Sequence, residues 1–294
     1  AEKLLLIIYY VAIAFAFRYA VKSIYPKASL LYSIILPFAG NYFLVLGYFN
    51  LSYSFIFLFL CLGYWIKIQN NPNVKRGIGL MLLLLILFFT HAFTFAIFWF
   101  IAGIYLWGSF LAKAKSLKFR DNIKEHFYKG IFLFASGLLS IIFWFNYIFK
   151  IQSITTFNKL AFADESTLWD AFTNLRILIS FHVEKEIPVS HVIGILLIML
   201  SLFYFAHKIY TRYYLKARRD DSQNEVFLFV AAVIILLYFL FPNTYISGNI
   251  SKRILIIFFF VYILWLSSRK FPATIVFLSV LIISAATIYH RKTQ

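Results

Sequence analysis

The sequence contains few acidic residues and very little cysteine, proline or glycine. Its 294 residues include 11 Asp and Glu, one Cys, 6 Pro and 11 Gly. The single cysteine, Cys61, excludes an intramolecular disulfide and therefore a disulfide-stapled secreted fold. No Walker loop, dinucleotide fingerprint, HExxH, GxSxG or CxxC motif is present, which removes the usual forms of several enzyme classes. The chemistry must therefore be sought outside these motifs.

Hydrophobic residues make up 63% of the chain, and the mean hydropathy is +0.84. A soluble domain is usually about 45–50% apolar. The excess falls in blocks of roughly 17 to 22 residues, the length of a helix that crosses about 30 Å of hydrocarbon. Because backbone groups in lipid must bond within their own segment, these blocks are expected to be helices. The sequence predicts an all-α, polytopic transmembrane helical bundle.

Ten hydrophobic blocks predict about ten spans in a single transmembrane domain over 1–294, with one external loop at 150–187. The chain begins with Ala1 and enters a hydrophobic block almost at once, so we expect it to be a segment of a longer protein. The blocks are 4–20, 29–46, 48–66, 77–90, 93–111, 130–149, 188–207, 226–241, 254–267 and 272–289.

The positive charge indicates the orientation of these spans. The net charge is +17, from 28 Lys and Arg against 11 Asp and Glu. With both termini outside, the inner loops hold about 19 of the basic residues and the outer loops about nine, as the positive-inside rule requires. The charge is thus a topology signal, and nucleic-acid binding is not expected.

The segment 151–187 is the long hydrophilic part of the chain, and it is predicted to contain an interfacial helix. Ser166 is the expected N-cap. Trp169, Phe172 and Leu175 recur at helical spacing on one face. Two interpretations stay open: a solvated loop that packs its aromatic rings on the bilayer surface, or a lid over a substrate cavity.

Acidic and histidine side chains of this loop are candidates for chemistry. Under the lid interpretation, Asp164 or Glu165 acts as an acid/base group or metal ligand. Glu184 and Glu186 lie near His182 and could hold a divalent ion, but their spacing matches no metal motif. The sequence therefore indicates no specific metal or cofactor.

His91 lies between two hydrophobic blocks. It is either a helix-end histidine bonded to a carbonyl or headgroup, or a cavity residue, since ionisable groups at membrane depth are usually functional. We assign it, with Asp164 and Glu165, to the candidate catalytic set.

The segment FPNTYISGNISKR, residues 241–253, interrupts two apolar blocks. Pro242 is expected to end one helix, and Ser251 to cap the next. Lys252 and Arg253 would then lie at a positive helix N-terminus, which is unfavourable for cations unless an anion binds there. The alternative is contact with external lipid headgroups. The candidate substrate-binding residues are Asn50, Asn243, Lys252 and Arg253.

Four stretches together carry a resemblance to a known class. They are AEKLLLIIYYVAIAFAFRY, LPFAGNYFLVLGYFNLSYSFIFLFLCLGYWIK, LLLLILFFTHAFTF and FPNTYISGNISKRILIIFFF. Their order and spacing resemble uncharacterised bacterial multispan proteins related to the GT-C class of integral-membrane glycosyltransferases. In that group the second stretch typically reads Gly-Phe-x-Asn-Phe, and here it reads Gly47-Tyr48-Phe49-Asn50. The third often has His-Pro where this chain has His91-Ala92.

The resemblance implies transfer of a sugar from a polyprenyl-phosphate donor on the non-cytoplasmic face of a bacterial inner membrane. It also implies that Lys252 and Arg253 meet the donor phosphate and that His91 faces the cavity. Similar enzymes place a catalytic Asp or Glu on their first external loop, which is not part of this chain. The implied partners are membrane lipids, a lipid-linked sugar and other membrane subunits. Two alternatives stay open: a non-catalytic subunit of a larger complex, and a polysaccharide or lipid transporter or polymerase.

Overall fold

The computed structural model describes residues 2–28, 30–114, 118–154, 164–179, 182–214, 225–241 and 250–293, and within these ranges the chain is helical without a strand. The elements, in chain order, are α1 Glu2–Ile24, a 3-10 helix Leu30–Ile34, α2 Ile35–Ala39, α3 Tyr42–Val45, α4 Phe49–Ile68, α5 Val74–Thr90, α6 Ala92–Lys113, α7 Phe119–Ile154, α8 Glu165–Thr173, α9 Val183–Tyr213, α10 Val226–Leu240, α11 Ile250–Ser267 and α12 Ala273–Thr293.

Seven helices of the described residues are long and apolar enough to cross a membrane. They are α1, α4, α6, α7, α9, α11 and α12. Shorter apolar helices cover Leu30–Ala39 and Val226–Leu240, and α5 has 17 residues. The chain is therefore an integral, multi-pass membrane protein of helical architecture.

The first helical segments run alternately up and down the bundle. The guanidinium carbon of Arg18 lies 5.6 Å from the ring centre of Tyr32, whereas Tyr9 donates to the carbonyl of Ala39 at 3.0 Å. Residues 30–39 therefore run antiparallel to α1. Helix α4 runs parallel to α1, because Tyr53 near its start donates to the carbonyl of Leu5 at 2.8 Å and Gly63 near its end faces Tyr19.

The last helices continue this alternation. Lys252, at the start of α11, lies over the ring of Tyr42, and Ser267, at its end, donates to the carbonyl of Leu31 at 3.3 Å. Helix α9 runs parallel to α11, because the hydroxyl of Ser201 bonds that of Tyr262 and, further along both helices, the ring of Tyr204 lies 5.6 Å from that of Trp265. The start of α9 meets the end of α12, where Glu186 lies 3.3 Å from His290.

The bundle consequently has two ends, which we name by one residue each. The His91 end carries α3, the start of α4, the junction of α5 and α6, α8, and the starts of α9 and α11. The Glu225 end carries the ends of α1, α4, α6, α9 and α11 and the starts of α5, α7, α10 and α12. Over the described residues, nine of the ten hydrophobic blocks each fall on one helix, whereas the block 29–46 falls on the 3-10 helix, α2 and α3. Seven of these helices are long and apolar enough to cross a membrane.

Aromatic and aliphatic side chains fill the centre of the bundle, and α4 and α11 are its most buried long helices. Gly63 allows α1 and α4 to approach closely. A Cβ at this position would lie 2.8 Å from the ring of Tyr19 and 2.9 Å from the backbone of Ala20. Small residues serve this purpose at helix contacts in membranes, where packing drives association.

Candidate functional site

His91 occupies the short break between α5 and α6 at the His91 end. It is the N-cap of α6, and its ring nitrogen Nδ1 accepts a hydrogen bond from the backbone N–H of Thr94 at 3.3 Å. Nδ1 also lies 3.1 Å from the Thr94 hydroxyl, which is 2.7 Å from the hydroxyl of Ser54 in α4. Thr94 and Ser54 are buried. The histidine is therefore held by a polar chain that joins α6 to α4.

This bonding determines the proton arrangement on the ring of His91. A backbone N–H can only donate, so Nδ1 is the acceptor and the neutral ring carries its proton on Nε2. Burial, and secondly the charge of Arg253, lower the pKa of His91 to about 4. At neutral pH the side chain is therefore an uncharged donor through Nε2.

Arg253 in the first turn of α11 lies beside two aromatic rings. Its guanidinium carbon is 6.0 Å from the ring centre of Tyr48 and 6.0 Å from that of Phe93. Its Nε is buried and has no hydrogen-bond partner within the described residues. Tyr48 reaches this position through Gly47, which has a φ of +81°, a left-handed conformation that favours glycine.

Lys252 lies next to Arg253 and covers another tyrosine. Its Nζ is 4.1 Å from the ring centre of Tyr42. The turn before Tyr42 is held by buried Asn41, whose side chain accepts from the N–H groups of Phe43 and Leu44 and caps α3. Neither Lys252 nor Arg253 forms an ion pair with a carboxylate of the described residues, so this pair of cations is electrostatically suited to an anion.

Asp164 and Glu165 are exposed at the His91 end. The predicted N-cap is wrong, because Asp164 has the extended N-cap backbone and Ser166 lies inside α8 and donates its hydroxyl to Asp164. Helix α8 ends at Thr173, and Leu175 follows with a φ of 44°. Leu175 is therefore in a turn outside the predicted amphipathic face.

The aromatic residues of α8 pack on the bundle. Trp169 lies 4.9 Å from the ring of Phe239 in α10, and Phe172 lies 5.9 Å from Phe258 in α11. The segment after the helix then joins α3, since the N–H of Tyr42 donates to the carbonyl of Ile177 at 2.8 Å. These contacts hold α8 at the same end as His91 and Arg253.

An ion pair closes the turn after α8. Arg176 bonds Asp170 through Nε at 2.8 Å. This bond and a second from Asn174 lower the pKa of Asp170. Asn174 also bonds His191 of α9 at 2.7 Å, so the turn is tied to the start of that helix.

The two acidic residues near His182, Glu184 and Glu186, lie in different surroundings. Glu186 is fully buried, accepts from the N–H of His182 at 2.9 Å, and faces His290. Glu184 is exposed. Within the described residues no group of three or more ligating side chains could hold a metal ion.

The remaining sequence-derived assignments have separate outcomes. Asn50 is exposed in the first turn of α4. Asn243, with the turn 242–249, lies outside the described residues. Ser251 is within α11, so the prediction that it caps this helix is wrong. The structure thus brings His91, Lys252 and Arg253 to one end, with Asp164 and Glu165 exposed on α8.

The sequence reasoning missed the aromatic residues that surround the two cations. Tyr42, Tyr48 and Phe93 belong to a chain in which 21% of residues are aromatic. The one available signal was position, because Tyr48 adjoins Gly47 and Phe93 follows His91 by two residues.

Comparison with known proteins adds no relative: no family model, curated protein or solved structure matches this chain.

Proposed function

We propose that this protein binds the phosphate of a polyprenyl-phosphate-linked sugar at its His91 end and transfers the sugar to an acceptor hydroxyl. The observation that carries the proposal is the juxtaposition of neutral His91 with Arg253, a cation that has a buried, unpartnered Nε. A phosphate oxygen would supply the acceptor that this nitrogen lacks, and the guanidinium fork suits phosphate geometry.

The charges at this end support an anionic ligand. Helix α11 has no acidic residue in its first turn, where Lys252 and Arg253 stand. Cations at a helix N-terminus are destabilised by roughly 0.3–1 kcal/mol each at the surface, and an anion there reverses that effect. His91 adds a neutral Nε2–H, which can donate to a phosphate oxygen without adding charge.

In the proposed reaction, Asp164 or Glu165 removes the proton from the acceptor hydroxyl. The acceptor oxygen forms a bond to the anomeric carbon of the sugar, and the bond from that carbon to the lipid phosphate breaks. The phosphate leaves with the electron pair, and Arg253 stabilises its charge. Both carboxylates are exposed on α8, so either can be reached by an acceptor from the aqueous side.

The proposal includes the membrane topology. Ten crossings, with the His91 end outside and the Glu225 end in the cytoplasm of a bacterial inner membrane, satisfy the distribution of lysine and arginine. In this topology α8 is an external interfacial helix. The lipid-linked sugar would approach the His91 end from the outer leaflet.

A second candidate function is a non-catalytic membrane subunit. One observation favours it: a polar cavity among the described residues lies at the Glu225 end, away from α8 and Arg253. A subunit of this kind would use Asp164 and Glu165 for contact with a partner rather than for proton transfer.

Binding of farnesyl phosphate to the purified full chain tests the proposed site, with farnesol as the matched probe without phosphate. We expect Arg253→Ala to weaken farnesyl phosphate binding by about tenfold or more, the effect of losing a hydrogen bond to a charged group. Lys185→Ala, at an exposed cation of the same end, should bind as the wild type does. Equal affinities of the wild type and Arg253→Ala for farnesyl phosphate would exclude this role.

Catalysis is tested separately from binding. If the protein is a transferase, Asp164→Asn or Glu165→Gln retains farnesyl phosphate binding and loses sugar release from a prenyl-phosphate sugar in a membrane assay. Sugar release that is unchanged in the double variant would exclude both carboxylates as the base. A wild-type chain that binds farnesyl phosphate and releases no sugar would favour the subunit.

A further inference from the structure

A polar cavity of about 140 Å³ opens at the Glu225 end, where α1, α4, α6 and α7 converge. A cavity of this volume holds several water molecules or one small polar group. The polar residues of its lining that matter here are Gln69, Asn70, Tyr105, Ser109, Lys113 and Lys129. It is at the opposite end of the bundle from Arg253, so it is a separate feature.

The lining of this cavity contains two ammonium groups and no carboxylate. Lys113 and Lys129 come from α6 and α7, and both are largely buried, with side-chain exposures of 19% and 11%. Glu125 holds them together through one oxygen, at 2.6 and 2.7 Å, but it is outside the lining. Among the carboxylates of the described residues, Glu125 is the one that pairs with both ammonium groups.

The C-terminal ends of α4 and α6 also lie beside the cavity. Their exposed carbonyl groups offer an alternative explanation for the two lysines. Cations at helix C-termini stabilise the exposed carbonyls. Here, however, Gln69 already donates to the carbonyl of Ile66 at 3.3 Å, and Asn122 donates to that of Phe110 at 2.9 Å. Side-chain amides thus already donate hydrogen bonds to carbonyls at the ends of both helices.

We propose that this cavity binds a phosphate group. The ammonium groups of Lys113 and Lys129 supply the charge, and the amide of Asn70 supplies a neutral donor. The phosphate belongs either to a soluble ion or to the headgroup of a lipid, because the cavity lies where the basic helix ends would meet both.

The unfolding of the full chain in an uncharged detergent tests this site, since a ligand that binds the folded state raises the unfolding midpoint. The single cysteine, Cys61, is buried, so its reaction with a thiol dye reports unfolding. One arm compares sodium phosphate with sodium chloride at equal ionic strength. The other compares dihexanoyl phosphatidic acid with dihexanoylglycerol. Both are measured in Arg253→Ala, because the His91 end is also proposed to bind phosphate.

Stabilisation by inorganic phosphate would identify a soluble source, and stabilisation by phosphatidic acid alone would identify a headgroup. Lys129→Met should weaken either ligand by about tenfold or more, and Lys124→Met, at an exposed lysine of α7 outside the lining, should not. Asn70→Ala, in an exposed turn, should weaken it by about two- to tenfold, and it serves if Lys129→Met does not fold. No stabilisation in either arm, or equal loss in Lys124→Met, would overturn the proposal.

Discussion

The hydroxyl of Tyr238 donates a hydrogen bond to the carbonyl of Leu168 at 2.7 Å. Tyr238 is 1% exposed, and this bond joins α10 to the centre of α8. The two residues are distant in the sequence, so α8 depends on the bundle for its position. The acidic N-terminus of α8, with Asp164 and Glu165, is consequently held at the His91 end.

Removing this hydroxyl should loosen α8. Tyr238→Phe removes the side-chain hydrogen bond to the Leu168 carbonyl, and such a bond contributes about 0.5–1.5 kcal/mol. We expect faster hydrogen exchange across α8 and a lower unfolding midpoint. Tyr213→Phe, at an exposed tyrosine, is the control, and exchange in α8 that matches this control would contradict the inferred anchoring.

Acidification should destabilise the protein through His91. Its pKa in the folded protein is lowered to about 4, against an ordinary value of 6.5, so the unfolded chain binds the proton first as the pH falls. Stability is therefore present above about pH 6.5 and is lost towards pH 4. The shift corresponds to at most about 3 kcal/mol.

His91→Asn isolates this contribution, because asparagine also caps helices and does not titrate. The free energy of unfolding of the variant should fall less between pH 7 and pH 5 than that of the wild type. Parallel pH profiles for the two proteins would show that His91 carries no such linkage.

Glu225 should be essential for stability at its own end of the bundle. It accepts from Tyr204 and Lys208 at 2.6 Å each and from Trp265 at 3.0 Å, and lies 3.6 Å from Arg269, which is 3% exposed. Replacing the carboxylate breaks this buried ion pair, which typically costs about 3–5 kcal/mol. We expect Glu225→Gln to lower the unfolding midpoint far more than Glu184→Gln, at an exposed carboxylate. Similar midpoints would contradict this prediction.

The same group gives a second pH dependence. Burial alone would raise the pKa of Glu225, but Arg269 and Lys208 outweigh it and hold that pKa below its usual value. A carboxylate whose pKa is lower in the folded protein than in the unfolded chain stabilises the folded state at pH values above the unfolded-state pKa. This stabilisation is lost as the pH falls through the folded-state pKa. In Glu225→Gln the free energy of unfolding should therefore fall less steeply at acid pH than in the wild type. An unchanged acid dependence would contradict this role of Glu225.

Thiol labelling should separate the two ends of the bundle. Glu165 at the His91 end and Lys124 at the Glu225 end are both exposed, and Cys61 is buried. A membrane-impermeant maleimide should label Glu165→Cys in intact cells and Lys124→Cys only after permeabilisation. The reverse pattern would invert the proposed orientation, and labelling of both in intact cells would place the two ends on one side.

Hydrophobic length predicted the helical segments well. The block 226–241 became α10, Val226–Leu240, and the block 48–66 became α4, Phe49–Ile68. Local chemistry at helix ends was predicted less well. Asp164 occupies the N-cap position of α8, two residues before Ser166, although its side chain makes no capping hydrogen bond. Either residue type is common at this position, so the local sequence does not distinguish them.

The sequence by itself determined that the chain is helical and apolar, where the apolar part of each segment lies, and how the charge is distributed between its loops. Runs of apolar residues predict helices because, in a bilayer, the backbone can form only internal hydrogen bonds. Only the tertiary structure decided that Arg253 lies against Tyr48 and Phe93, that Glu186 meets His290, and that Lys113 and Lys129 share one carboxylate. These contacts join distant parts of the chain, and they depend on which helix faces pack together, a choice that hydrophobicity alone does not specify because nearly every face is apolar.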